Sequence, residues 1–181
     1  MLTRVVLVAA LAVLAVSCGG SHDGKRGRAQ LEIYDFEHDF APAASHPGRR
    51  TVTCTRFCPR AVSGRVTLAV LHGPEVTDRD LDPASVRVMT DPSAGGNVVV
   101  AVFTATGRRK FRALTRTLAH RGRVQSNAQH FAIVVGSRVL SAPLIDYLNN
   151  PDGIDAPGIE VSGLGSRAAA ARLAKRLRSS G

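Results

Sequence analysis

FAIVVGSRVLSAP, residues 131–143, is the stretch whose reading decides the fold. Two apolar, β-branched runs meet at Gly136-Ser137. Glycine at the first central position of a two-residue loop suits a type II′ turn, so the segment predicts a β-hairpin. Pro143 ends it, because proline cannot donate to a strand ladder.

The rest of the chain is placed outward from this hairpin. Upstream, 97–103 is the strongest strand signal, and 66–71 is a second, closing at Gly73-Pro74. Thr77 is positioned to cap a short helical turn over 78–81 that Pro83 stops. Residues 31–36 predict a short strand, with Leu31 and Ile33 on one face and Tyr34 and Phe36 on the other. Residues 41–50, rich in Pro, Ala and Gly, read as loop.

After 97–103 the apolar period changes from two to about 3.6. Thr104 or Thr106 caps a helix carrying Phe111, Leu114 and Leu118 on one face and Arg108, Arg112 and Arg116 on another. Downstream of the hairpin, 149–158 is a polar loop with Asp152 and Asp155, and 159–161 is a strand. Ser166 then caps a last helix with Leu173, Ala174 and Leu177 inward. The order strand, helix, hairpin, strand, helix predicts an α+β fold. Its expected form is a ferredoxin-like sandwich, a mainly antiparallel sheet with two helices on one face. The strand at 66–71 is expected in the same sheet or at its edge.

Composition bounds the function. Hydrophobic residues make up 44% of the 181, enough for one cored domain plus a tail. Aromatics are only 4% with no Trp, which argues against stacking platforms for single-stranded nucleic acid. Lys occurs only at Lys25, Lys110 and Lys175, and the net charge is +10.

Residues 1–17 read as an export signal: Arg4, an apolar run over 5–16, then small residues before Cys18. The run is short for a membrane span, which needs about 20 residues. Residues 14–20, LAVSCGG, resemble a bacterial lipobox, making Cys18 the expected lipidation site and the chain a lipid-anchored, extracytoplasmic protein. Ala15 replaces the usual Leu, and Ala15-x-Ser17 also suits an ordinary signal peptidase, so simple secretion is the alternative. Residues 18–60 are expected to be a flexible tether and N-terminal segment, and 61–181 the folded domain. In an exported protein, nucleic acid is not the expected physiological partner. Anionic headgroups, acidic wall polymer or acidic segments of unfolded protein are better matched to the charge.

With Cys18 lipidated, Cys54 and Cys58 remain as a pair in an oxidising compartment, and a structural disulfide is expected between them. Zinc needs about four ligands, and no second Cys pair exists.

No catalytic constellation emerges, so no enzyme, cofactor or metal is expected. His22, His38, His46, His72, His120 and His130 show no ligand spacing. Glu37-His38-Asp39 is adjacent in sequence, but adjacent side chains diverge, so solvated residues are the expectation. Gly163-x-Gly165 is only a fragment of a phosphate loop, and Ser137 and Ser141 lack a nucleophile elbow. Electrostatics supply the one binding candidate. No acid occurs between Asp91 and Asp146, whereas Arg108, Arg109, Lys110, Arg112, Arg116, Arg121 and Arg123 all fall there. Arg108, Arg112 and Arg116 are the candidate face for carboxylates or phosphates, set against a merely solvated helix surface.

The wording of these segments resembles the head of the first periplasmic domain of SecD, the export-motor subunit of the Sec translocon. Matching pieces run in order: 70–71, 75–81, 98–103, 104–111, the hairpin with its Ser141-Ala142-Pro143, 159–163 and 171–181. Thr106 stands where an acid is usual, and Gly136-Ser137 where Asp-Gly is usual. The resemblance implies a module that contacts unfolded exported polypeptide or translocon subunits, without the membrane bundle that would make it a motor. A structural envelope lipoprotein that binds wall polymer or another protein is the alternative.

Overall fold

A computed structural model describes residues 30–55, 58, 65–93, 96–126 and 128–180. The strands are β1 (Leu31–Asp35), β2 (Phe40–Pro42), β3 (Thr51–Cys54), β4 (Val66–Val70), β5 (Val76–Thr77), β6 (Arg87–Asp91), β7 (Gly96–Val102), β8 (Phe131–Val135), β9 (Arg138–Ser141) and β10 (Gly158–Val161). The helices are α1 (Phe36–Asp39), α2 (Ala105–Gly122) and α3 (Arg167–Arg178).

The predicted hairpin is β8–β9, turning at Gly136, whose φ of 63° lies in the left-handed region that glycine enters without strain. A register shift after Ile133 gives the ladder a bulge. The caps fall where the sequence places them. Thr104 accepts from the Gly107 amide, Ser166 from the Ala169 amide, and Thr77 forms a capping box with Asp80. The one-turn helix that Thr77 caps is Asp78–Asp80.

Ten strands distribute over two sheets. The larger is β2-β4-β3-β9-β8-β1-β5, and the smaller is β10-β7-β6. All pairings are antiparallel except β3 with β9. The fold is α+β, but the hairpin and the strands β7 and β10 do not share one sheet, as the expected ferredoxin-like sandwich requires. Instead β6 flanks β7, and the hairpin is recruited by β1 and β3. As expected, β4 joins the hairpin's sheet, and it lies inside it, between β2 and β3, rather than at an edge. The expected boundary at residue 61 falls between β3 and β4, which pair over four residues. Residues 31–54 thus supply three strands and are integral to the fold.

Alternation along the larger sheet feeds two cores. Leu31, Ile33, Ile133 and Leu140 join α2, α3 and the inner face of the smaller sheet, meeting Phe111, Leu118, Val99, Ala101, Val161, Leu173 and Leu177. On the opposite face, Tyr34, Val52, Leu68, Ala132, Val134 and Val139 meet Phe36 and Phe40. Because these come from strands spread across the sheet, the sheet must curl around them. All five β1 residues are buried, as expected for a strand covered on both faces. Each fully buried Leu, Ile or Phe contributes about 1.5–3 kcal/mol, so the two-sided burial of β1 and β8 fixes their register.

A partly buried ion pair ties β1 to the residue before β3. Arg50 holds Glu32 through both terminal guanidinium nitrogens and also donates to the Tyr34 hydroxyl at 2.8 Å and the Gly136 carbonyl at 2.9 Å. Burial, reinforced by the Glu32 charge, pushes the Tyr34 hydroxyl well above its ordinary pKa.

Candidate functional surfaces

The helix α2 carries the predicted basic face, but folding brings it acids from far away in sequence. Arg108 donates to both oxygens of Asp155, at 2.6 and 2.9 Å. This hydrogen-bonded guanidinium holds the Asp155 carboxyl below its usual range. Lys110 reaches Asp80 at 2.8 Å, and Arg121 grips Asp35 with both terminal nitrogens. The loop that brings Asp155 lies tightly on α2, with the Ile154 amide donating to the Thr115 hydroxyl at 2.8 Å. A side-chain carbon on Gly153 would meet the Arg112 carbonyl oxygen at 2.6 Å.

The expected triad therefore divides. Arg108 is engaged, whereas Arg112 and Arg116 are exposed and form no salt bridge among the described residues. Local absence of acids was the wrong measure of compensation, because the partners come from β1, the turn at Asp78–Asp80 and the loop before β10.

A second basic region lay outside the sequence reading. Arg138 on the hairpin and Arg172 and Arg176 on α3 line a cavity of about 300 Å³ beside Gly136 and Ser137. The i, i+4 spacing on α3 was the available signal; the juxtaposition with the hairpin turn is tertiary.

The smaller sheet presents a third surface. Val99, Ala101, Ile159 and Val161 point to the first core with Val88 packed beside them, so strand alternation sends Arg87, Met89, Val100 and Val102 outward. Met89 is 46% and Val102 42% exposed. Ser85, Arg87, Val100, Val102, Pro157 and Glu160 are among the residues around a shallow cavity of about 230 Å³ on this side. Both β6 and β10 are edge strands. The strand β6 had no clear signal in the sequence, since its alternation is diluted by polar residues.

Cys54 and Cys58 are both buried and both free thiols here. The expected disulfide is not formed, although the two side chains hydrogen-bond. Burial, with that hydrogen bond added, pushes the Cys54 thiol well above its ordinary value. Among the described residues, one group has ligand atoms close enough to hold a cation: His38, Asp39 and His72. Cys18 and the signal segment 1–17 lie outside the described residues. No helix among the described residues is long and apolar enough to cross a membrane.

The family model described as "SecDF, P1 head subdomain" matches residues 55–181. A solved structure described as "a membrane component SecDF that enhances protein export" is 31% identical, covering 61% of this chain and 43% of its own, with a TM-score of 0.47. A second, of SecDF in a "Super-membrane-facing form", is 24% identical over 84% of this chain and 19% of its own, with a TM-score of 0.51. The chain thus spans less than half the length of either. No curated protein matches it by sequence. With well over half of its residues matched, this chain belongs to the SecDF P1 head subdomain family.

Proposed function

We propose that this chain is a membrane-anchored, extracytoplasmic binding module of protein export, which contacts translocated unfolded polypeptide or subunits of the export machinery. The observation that carries the reading is the β10-β7-β6 sheet, with Met89 and Val102 exposed on its outer face and two edge strands, in a SecDF head family member. An edge strand can pair with any extended chain through the backbone, whatever its sequence, and neighbouring apolar side chains add affinity. Its role is binding. Attachment is through lipid on Cys18.

In-cell photocrosslinking from Met89 or Val102 tests the contact. Adducts with unfolded secreted proteins or translocon subunits are expected. Adducts confined to other envelope proteins, or none, would overturn it. Metabolic labelling with a tagged fatty acid, lost in Cys18→Ala, tests the anchor separately.

A second reading has its own observation, the exposed Arg112 and Arg116 and the three arginines around the hairpin cavity. It takes the chain as an envelope interaction protein bound to acidic wall polymer. Salt-sensitive retention on wall material, weakened by Arg112→Glu with Arg116→Glu, is the expected result. Retention indifferent to salt and to both substitutions would remove this reading.

A further inference from the structure

We propose that His38, Asp39 and His72 form a binding site for one zinc-class divalent cation, joining α1 to the segment that follows β4. His38 and Asp39 end α1, and His72 stands two residues past β4. The backbone already clamps these segments together, the Leu71 amide donating to the Asp39 carbonyl at 2.8 Å.

The Asp39 carboxylate is 1% exposed and held in place. One oxygen accepts from the Asp35 amide at 2.9 Å. The other lies 2.9 Å from His38 Nδ1 and 3.4 Å from His72 Nδ1. The two imidazoles stack with centroids 4.4 Å apart and planes inclined by 16°. One ligand atom from each of the three residues lies within 4.8 Å of the others. With zinc bonds of about 2.0–2.2 Å in tetrahedral geometry, neighbouring donors sit roughly 3.3 Å apart. Small rotations of two surface imidazoles therefore suffice to admit the ion.

The surroundings suit a metal better than a simple hydrogen-bonded cluster. Two rings converge on a single oxygen of one buried carboxylate. Their side chains are 62% and 54% exposed, which leaves an entry path and room for water as fourth ligand. A further layer orients the site, since Arg121 fixes the Asp35 whose amide holds Asp39. Two imidazoles and a carboxylate favour zinc and its late first-row neighbours over magnesium or calcium, which prefer all-oxygen sets. Sequence reasoning missed the site because His72 arrives from the segment after β4, and because it took His38 and Asp39 to diverge.

Calorimetric titration of the untagged chain with Zn²⁺ tests the assignment. One equivalent is expected, with a dissociation constant on the order of micromolar or tighter. Affinity should fall at least about tenfold in His38→Ala and in His72→Ala, and stay unchanged in His120→Ala. Both ligand histidines are largely exposed, so these variants keep the fold, which thermal melts without metal verify. Co²⁺ as a probe should give visible d–d absorption without a thiolate charge-transfer band, which separates this site from Cys54 and Cys58. Absence of stoichiometric binding, affinity unchanged by both histidine substitutions, or full competition by Mg²⁺ would each overturn the proposal.

Discussion

Gly107 offers a test of how α2 is seated, because two effects of opposite sign compete there. It lies in the first turn of α2, close above the Asp78–Asp80 turn. In an exposed helix, Gly→Ala stabilises by up to about 1 kcal/mol through backbone entropy. Here the added methyl would stand 2.1 Å from the Asp80 carbonyl oxygen and 2.9 Å from the Asp80 Cβ. The obstacle is mainly backbone, so the helix itself must retreat, by about 1 Å, at an overpacking cost of about 1–3 kcal/mol. The retreat also stretches the bonds that dock the helix, from the Thr104 amide (2.9 Å) and hydroxyl (3.1 Å) to that same oxygen. Each is worth about 1 kcal/mol. Set against the propensity gain, Gly107→Ala should destabilise by about 2 kcal/mol, lowering the melting temperature by about 4–8 °C for a domain of this size.

Gly122, near the other end of α2, provides the control. A methyl there meets the Gln129 amide oxygen at 1.8 Å, the end of a side chain that can rotate away. Thermal and urea unfolding should therefore show less than half the loss for Gly122→Ala. If Gly107→Ala melts at or above the parent temperature, or above Gly122→Ala, the close seating of α2 is wrong.

Other perturbations probe the charge network and the thiols. Arg50→Ala strands the buried Glu32 carboxylate and should cost about 3–5 kcal/mol in urea unfolding, whereas a loss under about 1 kcal/mol would mean the pair is not buried as described. Asp155→Asn frees Arg108 on the surface and should strengthen salt-sensitive binding to acidic polymers with little change in melting temperature; weaker binding would contradict the pairing. Because the folded Asp155 carboxyl titrates below its unfolded value, the small stabilisation from this pair is complete above the ordinary aspartate pKa. It fades as pH falls toward the folded value, and acid melts should show that loss abolished in Asp155→Asn. Cys54, with its thiolate suppressed by burial, should alkylate slowly in the folded chain and rapidly in urea.

What could be read from the sequence was local. The hairpin, the strands β4 and β7, and the caps Thr77, Thr104 and Ser166 each rest on neighbouring residues, where turn chemistry and apolar period speak directly. Four strands escaped. Of these, β2 and β5 are three and two residues long, β3 follows a Pro/Gly-rich run, and β6 alternates weakly. Pairing is what makes them strands, and pairing is nonlocal: β3 exists between β4 and β9. The same limit hid the division into two sheets and separated His72 from His38 and Asp39.

Charge compensation follows the same rule and bears on what the surface can bind. Asp35, Asp80 and Glu32 lie buried or nearly so, and their partners Arg121, Lys110 and Arg50 come from other elements. These acids are spent inside the fold, each docking one element on another. Of the basic residues left outside, Arg112, Arg116, Arg138, Arg172 and Arg176 belong to α2, α3 and the hairpin, whereas Arg87 stands on the outer face of β10-β7-β6, in register with Val100. A polypeptide on that face would be held by backbone pairing and apolar contact, which salt hardly weakens, whereas an acidic polymer on the arginines would release as salt rises. Photocrosslinks from Met89 that persist at high salt therefore argue for the sheet as the functional surface. Loss of those crosslinks together with wall retention would assign the function to the basic helices instead.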